Sequence, residues 1–416
     1  MTSDFTRSGD SGTKRAKSPV SSAYQLFSKT LDASVAAVWS KRGCDHEKGS
    51  SMPTPGEVPW DIVEHTAAKH DIYQRYLERW FPILLTGKEK WYPSVTYAEG
   101  FAGPGVYKTG ERGSPVIALQ AFIDKVPPTK GASRFLFVDD DPRCVALLRK
   151  QLAPVIEKTP RTEETMPVEV VEGTCESQLE KRLTAMDAWG KPIFAMLDSW
   201  GNAPIPYRLL QRLAGNVSSE VMITFLPQHF VRFVTKLGES ADQVFGGDQR
   251  WREVAKFPDG PAQRRHLLDC YRQALSRAGF QHLLGFELVP RTGQSLYLLF
   301  GTNHPLGVKK MKDTLWEVDK SFGVGFRDPR DDQEETLFEL SEPQLAPLGR
   351  LLLPTITEAG SSGCRVNDLV NFTLFETVFR KEHIIPTISM LRDEGKVETD
   401  RPGRIVYGTF VRTPQH

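Results

Sequence analysis

The sequence predicts an α/β protein: a Rossmann-like sheet with helices on both faces, followed by a C-terminal winged-helix domain. Three observations carry this. Short apolar runs alternate with helical patterns from about residue 95 to residue 226, which is the signature of a sheet built from strand–helix units. The first run ends in an acid and turns at once into a glycine-rich loop, Glu99-Gly-Phe-Ala-Gly-Pro-Gly105. Beyond residue 340 the alternation stops and three short helical segments precede a hairpin.

The first strand is expected at Val95 to Ala98. Glycine has no Cβ, so Gly103 and Gly105 let backbone N–H groups come close to a ligand. In a dinucleotide fold the glycines meet a phosphate. An acid beside the loop, Glu99, suits a cationic or hydroxyl-bearing ligand better. S-adenosylmethionine (SAM) carries an ammonium, a sulfonium and ribose hydroxyls, so a class I SAM-dependent methyltransferase is the leading reading. Glu99, Phe101, Gly103 and Gly105 are its first binding residues. A helix from about Ser114 to Asp124 follows. The second strand, Phe135 to Val138, ends in Asp139-Asp-Asp-Pro142. A strand-end acid there accepts hydrogen bonds from a ribose diol, and Asp139 has that position. It lies farther from the glycines than the usual spacing of about 20 residues. Asp141, with Pro142 behind it, reads as the cap of the next helix.

The third strand, Val168 to Glu172, leads to Gly173-Thr174-Cys175, where an adenine is expected to sit; Thr174 and Cys175 are the candidate residues. The fourth, Pro192 to Leu197, is almost wholly apolar, as buried parallel strands are. It opens into Asp198-Ser-Trp-Gly-Asn-Ala-Pro204, the expected reaction edge. Asp198 is placed to orient a substrate, bind the amino group of SAM or act as a base, and Trp200 to stack on a planar substrate. A helix cap and a packed tryptophan are the plainer alternatives. The fifth strand is Val221 to Leu226. Phe286 to Pro290 and Ser295 to Phe300 read as a closing hairpin, a regular methyltransferase feature. Ahead of the sheet, a helix from Thr66 carries Ile72, Tyr73, Tyr76, Leu77 and Trp80 on one face, a core stripe. A helix ahead of the first strand often lies over the ligand pocket in this fold, so Lys69 or His70 at its start could reach a ligand, but a helix start with satisfied polar groups is the plainer reading.

Several segments together resemble a known family. They are Glu64 to Leu84, Glu99 to Gly105, Gly113 to Leu119, Val244-Phe-Gly-Gly247 with Trp251, and Gly307 to Lys312 with Trp316. The combination, over about residues 58–412, is similar to the three-Cys-motif partner proteins (TcmP), class I methyltransferase-like proteins of bacteria. The resemblance implies a SAM fold and a phage-type, radical-SAM-like partner with three cysteines. It also implies a C-terminal winged helix. In such proteins the fourth-strand motif more often reads Asp-Pro-Phe-Gly; here it is Asp198-Ser-Trp-Gly201. That loosens any analogy with amino-methylating DNA enzymes. The glycine loop also has the shape found in cytosine-C5 methyltransferases, but the chain has no Pro-Cys nucleophile.

Composition bounds the rest. A net charge of +1 does not select nucleic acid as a partner. Five scattered cysteines form no metal-ligand spacing, so no metal is expected, and they suggest reduced thiols in a cytoplasm. No run has membrane-spanning length. Residues 1–57 are an expected N-terminal region: a disordered tail over 1–20, rich in Ser, Thr, Gly and Lys/Arg, one short helix at Tyr24 to Trp39, and a polar, Pro/Gly-rich linker from Gly43 to Pro59. The methyltransferase domain is expected at 58–327 and the winged helix at 340–412, joined by an acidic linker. Lysines 309, 310 and 312 at a helix start could touch phosphate, but a solvated face is the plainer reading. In residues 341–416 nine basic and nine acidic side chains cancel, a poor phosphate footprint. The expected function is SAM-dependent methyl transfer, with nucleic acid as the first substrate class. A non-catalytic scaffold that docks the partner protein is one rival. A small-molecule or peptide methyltransferase is the other.

Overall fold

The computed structural model describes residues 57–62, 64–87, 92–199, 201–289, 296–322, 325–327 and 344–414. The N-terminal tail, the Tyr24 to Trp39 helix, the acidic linker and Trp200 lie outside the described residues.

The elements follow the predicted order. Helix α1 (Glu64–Thr86) precedes β1 (Ser94–Glu99), α2 (Ser114–Lys125), β2 (Ala132–Asp139), α3 (Pro142–Lys158) and β3 (Val168–Glu172). A π-helical turn (Cys175–Leu179) runs into α4 (Glu180–Ala185), and β4 (Ile193–Leu197), α5 (Tyr207–Ala214) and β5 (Glu220–Phe225) complete the parallel half. Then come α6 (Pro227–Phe233), α7 (Glu239–Val244), a 3-10 helix (Gln249–Lys256), α8 (Gly260–Ala278), β6 (His282–Val289), β7 (Leu296–Thr302), α9 (Pro305–Phe322) and β8 (Gly325–Arg327).

The strands form one eight-stranded sheet in the order β3-β2-β1-β4-β5-β7-β6-β8. The first five are parallel; β7 is antiparallel to β5 and to β6. The closing hairpin is therefore present, with β8 added at its edge as an antiparallel strand that the sequence pattern did not announce. Chain order reverses between β1 and β4, and such a switch point leaves a crevice at the carboxyl ends of the strands.

Apolar side chains on the two faces of the sheet build two cores. One holds Val95, Tyr97, Phe194, Met196 and Met222 against the α1 stripe. The other holds Ala98, Ala195, Leu197, Val221 and Ile223 against α5 and α8. The Val244-Phe-Gly-Gly247 and Trp251 segments belong to this second core. Phe245 stacks on Trp251, whose Nε1 donates to Asp242 at 2.8 Å, so this part of the motif is a packing device.

Residues 344–414 form α10 (Ala346–Glu358), β9 (Cys364–Arg365), α11 (Leu369–Glu376), α12 (Ile384–Asp393), β10 (Glu398–Thr399) and β11 (Phe410–Arg412). Their sheet is three-stranded, in the order β10-β11-β9, where a two-stranded hairpin was expected, its first strand from Gly395 and its second from Ile405. The reason is a turn at 406–409: Thr409 N–H donates to the Val406 carbonyl, and the Thr409 hydroxyl accepts from Val406 N–H. Ladder pairing can resume only at Phe410. Lys312 also departs from its expected solvated place. It is buried, and its ammonium donates to the carbonyls of Thr373 and Phe379 at 2.6 and 2.5 Å, while Trp316 Nε1 donates to Val378 O. An ammonium that caps the end of α11 in this way ties α9 to the C-terminal segment.

Candidate functional site

Side chains alternate across a strand, so every second residue of β1, β4 and β5 faces α1. Glu99 shares its face with Tyr97. Asp198 follows Phe194 and Met196 in the same phase, and Thr224 follows Met222. Leu197 pairs with Ile223 in the parallel register, which sets Asp198 beside Thr224. The carboxyl ends of three adjacent strands thus present a polar row, Glu99–Asp198–Thr224. Helix α1 covers it with Lys69, His70 and Tyr73, which fall together at helical spacing.

At the β1 end, Glu99 is 1% exposed. Its two oxygens accept from Tyr97 OH at 2.8 Å and from Ser114 Oγ at 2.7 Å. Burial outweighs these donors and raises the Glu99 carboxyl to about 8. The glycine loop follows. Gly103 and Gly105 take φ of +64° and +73°, a left-handed region that costs other residues. A Cβ on Gly105 would also lie 2.6 Å from Leu148 Cδ1, whereas one on Gly103 would meet only Trp60, at 3.6 Å. Asp139 closes the loop. Its Oδ2 accepts from Gly103 N–H at 2.7 Å and its Oδ1 from Asp141 N–H at 3.0 Å. Burial holds Asp139 above the usual carboxylate range in spite of these donors. Asp141 caps α3 as expected.

At the β4 end, Asp198 forms an ion pair with Lys69, which is 6% exposed. Burial pushes Asp198 up, but the Lys69 ammonium wins and keeps its carboxyl below the ordinary value. His70 is the reverse case: burial, helped by Lys69, drives it down to about 3, so its imidazole is neutral. Tyr107 OH reaches His70 Nε2 at 3.4 Å. The loop after Asp198 is locked onto β5. Gly201, at φ +96°, accepts from Leu226 N–H at 2.8 Å, and Ser199 Oγ accepts from Ala203 N–H at 2.9 Å.

The row brings together Glu99, Gly103, Gly105, Asp139 and Asp198 at one edge. Phe101 is half-buried and packs on the second core. Thr174 is exposed and caps the π-helical turn, its hydroxyl accepting from Ser177 N–H at 3.1 Å. Asn303 and His304 sit at the opposite edge, because β7 runs antiparallel. Asn303 Oδ1 accepts from Gln281 N–H, and His304 Nδ1 accepts from Leu306 N–H at the start of α9. Sequence reasoning missed Tyr73, Thr224, Ser114 and Tyr107 as parts of this edge. Tyr73 lies in a stripe that reads as core, and Thr224 in a strand that reads as apolar; only the parallel register brings them to Asp198.

No family model matches the chain, and no curated protein matches it. Solved structures give distant likenesses. An O-methyltransferase from Bacillus cereus in complex with SAH has a TM-score of 0.31 at 9% identity, over 67% of this chain and 90% of that one. A candidate O-methyltransferase from Klebsiella pneumoniae has a TM-score of 0.31 at 11% identity, over 66% and 97%. The O-methyltransferase TomG from Streptomyces achromogenes, in complex with SAM, has a TM-score of 0.29 at 14% identity, over 59% and 93%. Similarity at this level leaves the site to be read from its own residues.

Proposed function

We propose that this protein is a SAM-dependent methyltransferase whose cofactor lies at the β1–β2 half of the edge and whose methyl acceptor meets the β4 half. The observation that carries the reading is Glu99. A buried carboxyl raised to about 8 is a receptor waiting for a cation. An ammonium placed beside it would take over from the proton, and the acid would ionise. The positive-φ glycines give close backbone access beside it, and Asp139, at the end of β2, has the place of a ribose acceptor. These residues fit SAM. Glu99 and the backbone of Gly103 and Gly105 would hold its methionine end, Asp139 its ribose, and Phe101 and Thr174 would border the nucleoside. When bound, SAM supplies an electrophilic methyl group on a sulfonium sulfur.

The chain's own contribution is positioning and exclusion of water. Asp198, its side chain 21% exposed, would orient the acceptor by accepting a hydrogen bond from it, with Trp200 following in the same loop. The Lys69 ammonium keeps Asp198 ionised for that purpose.

A nucleic-acid acceptor and a three-Cys-motif partner follow from the family resemblance. The three helices and small antiparallel sheet of residues 344–414 support a winged-helix domain that would contact one of them. One observation favours the scaffold reading instead: an oxygen of Asp198 is already committed to Lys69. The test is incubation with methyl-labelled SAM and separate pools of DNA, RNA and protein. Label in nucleic acid, lost in Asp198→Ala, supports the proposal. SAM binding with no label in any pool supports the scaffold.

A further inference from the structure

The carboxyl edge of the sheet is divided by charge. The ends of β1, β2 and β3 with the segments after them (residues 99–113, 139–143 and 172–176) hold seven acidic and three basic side chains. The segment after β5 (residues 226–238) holds two basic side chains, Arg232 and Lys236, and no acid. A polyanion is repelled by the first half and drawn to the second, which adjoins the end proposed to meet the acceptor.

The helical period of α6 places these cations beside aromatic rings. Pro227 and Phe230 are buried, and Phe230 stacks on Phe225 of β5 with ring centroids 5.3 Å apart, which pins the helix to the sheet. His229, Arg232 and Phe233 fall on another face. In the turn that follows, Lys236 N–H and Leu237 N–H both donate to the Phe233 carbonyl at 2.8 Å, which brings Lys236 onto that face as well. The rings of His229 and Phe233 are half-buried and lie 5.2 Å apart. Burial, helped by Arg232, holds His229 below its ordinary value, so its imidazole is a neutral ring at pH 7. Arg232 and Lys236 are exposed, and neither enters an ion pair among the described residues. Of the next acids in the chain, Glu239 opens α7 beyond Gly238, and Asp242 is taken up by Trp251 Nε1 and Arg252 Nε at 2.8 and 2.9 Å.

This face is continuous with the acceptor end of the site. Leu226, at the head of α6, donates its N–H to the Gly201 carbonyl in the loop that follows Asp198. Rings set between exposed cations suit the two things a nucleic-acid strand presents, base faces to stack and phosphates to neutralise. A duplex hides its base faces, whereas a single strand lays them open. We infer that the His229–Lys236 face binds a single-stranded nucleic acid and leads it to the Asp198 end of the row. The inference rests on the reading of the β4 half as the acceptor end, and it selects one strand class as the substrate.

The test is fluorescence anisotropy with labelled oligonucleotides of about 16 nucleotides, single-stranded and duplex, each as DNA and as RNA. The wild-type protein is expected to bind one of the single strands at least about tenfold more tightly than the matching duplex. Each phosphate contact to a single strand adds about 0.7 to the slope of log affinity against log salt, so the double variant Arg232→Gln, Lys236→Gln should lower that slope by about 1.4. Phe233→Leu should weaken binding at least about fivefold with the slope unchanged, because stacking releases no counterions. The two cations are exposed, so the charge variant is expected to fold, and a thermal melt matching the wild type checks this. No binding of single strands by the wild type, equal binding of single strand and duplex, or a folded charge variant with the wild-type slope would overturn the inference. Titration of SAM into the same preparation keeps the two readings apart. SAM binding without strand binding would overturn this inference and leave methyl transfer to another acceptor. Strand binding lost in the charge variant, without SAM binding, would uphold the face and overturn the methyltransferase.

Discussion

The two ends of the polar row solve one problem in opposite ways. Glu99 and Asp198 are strand-end acids on the same face of the sheet, under the same helix. Glu99 is buried among neutral donors, and burial raises it to about 8. Asp198 is buried against an ammonium, and that partner holds it low. A buried acid with only neutral neighbours is poised to gain a cation; one already paired is poised to hold a geometry. Under the proposed function, recruitment falls to the β1 end and orientation to the β4 end.

The most severe way to break the comparison is to remove the cation from one end. Lys69→Met leaves Asp198 as an unpaired, mostly buried charge, and should cost about 3 kcal/mol of stability in urea unfolding. The double variant Lys69→Met, Asp198→Asn should regain most of that loss. A single variant as stable as the wild type would show that the pair is not a structural constraint.

The loop that joins the ends is next. Gly105→Ala combines a left-handed φ with a Cβ driven into the buried Leu148, and should cost about 2 kcal/mol. Gly103→Ala has the same φ problem but open space, so about 1 kcal/mol is expected. Thermal melts would check the order of the two; equal losses would mean that the contact with Leu148 relaxes freely.

The smallest effect sharpens the contrast by pH. Glu99 has a folded value above its unfolded one, so its contribution is fully present below about 4.5 and is lost as pH rises toward about 8. Asp198 has a folded value below its unfolded one. Its contribution is present above about 3.8 and is lost as pH falls through the lowered value. Glu99→Gln should therefore flatten the decline in stability between pH 5 and 8, while Asp198→Asn should alter the acid limb and only shorten that window, because the Asp198 charge helps raise Glu99. The same slope in all three proteins would contradict the assignment.

Much of this was legible in the sequence. The five parallel strands, the glycine loop and the strand-end places of Glu99, Asp139 and Asp198 all follow from local pattern, because a strand end and the loop after it are neighbours in the chain. Asp141 as a cap and the α1 stripe as core were readable for the same reason. What stayed hidden depends on register and on distant partners. Lys69 looks like any polar residue at a helix start until Asp198, 129 residues away, is laid beneath it. Lys312 looks solvated until the carbonyls that end α11 are brought to it. Asn303 and His304 follow a strand, but only the antiparallel direction of β7 reveals that they stand at the wrong edge. The third strand of the C-terminal sheet, two residues long, is too short to leave a pattern.

The most direct test of the central claim, that the β1–β2 half of this edge holds SAM, is calorimetric titration of SAM into the wild-type protein and into Asp139→Ala. The account predicts micromolar binding that the substitution weakens by a factor of about ten or more, roughly 1.4 kcal/mol. Unchanged affinity in the variant, or no binding by folded wild-type protein, would contradict it.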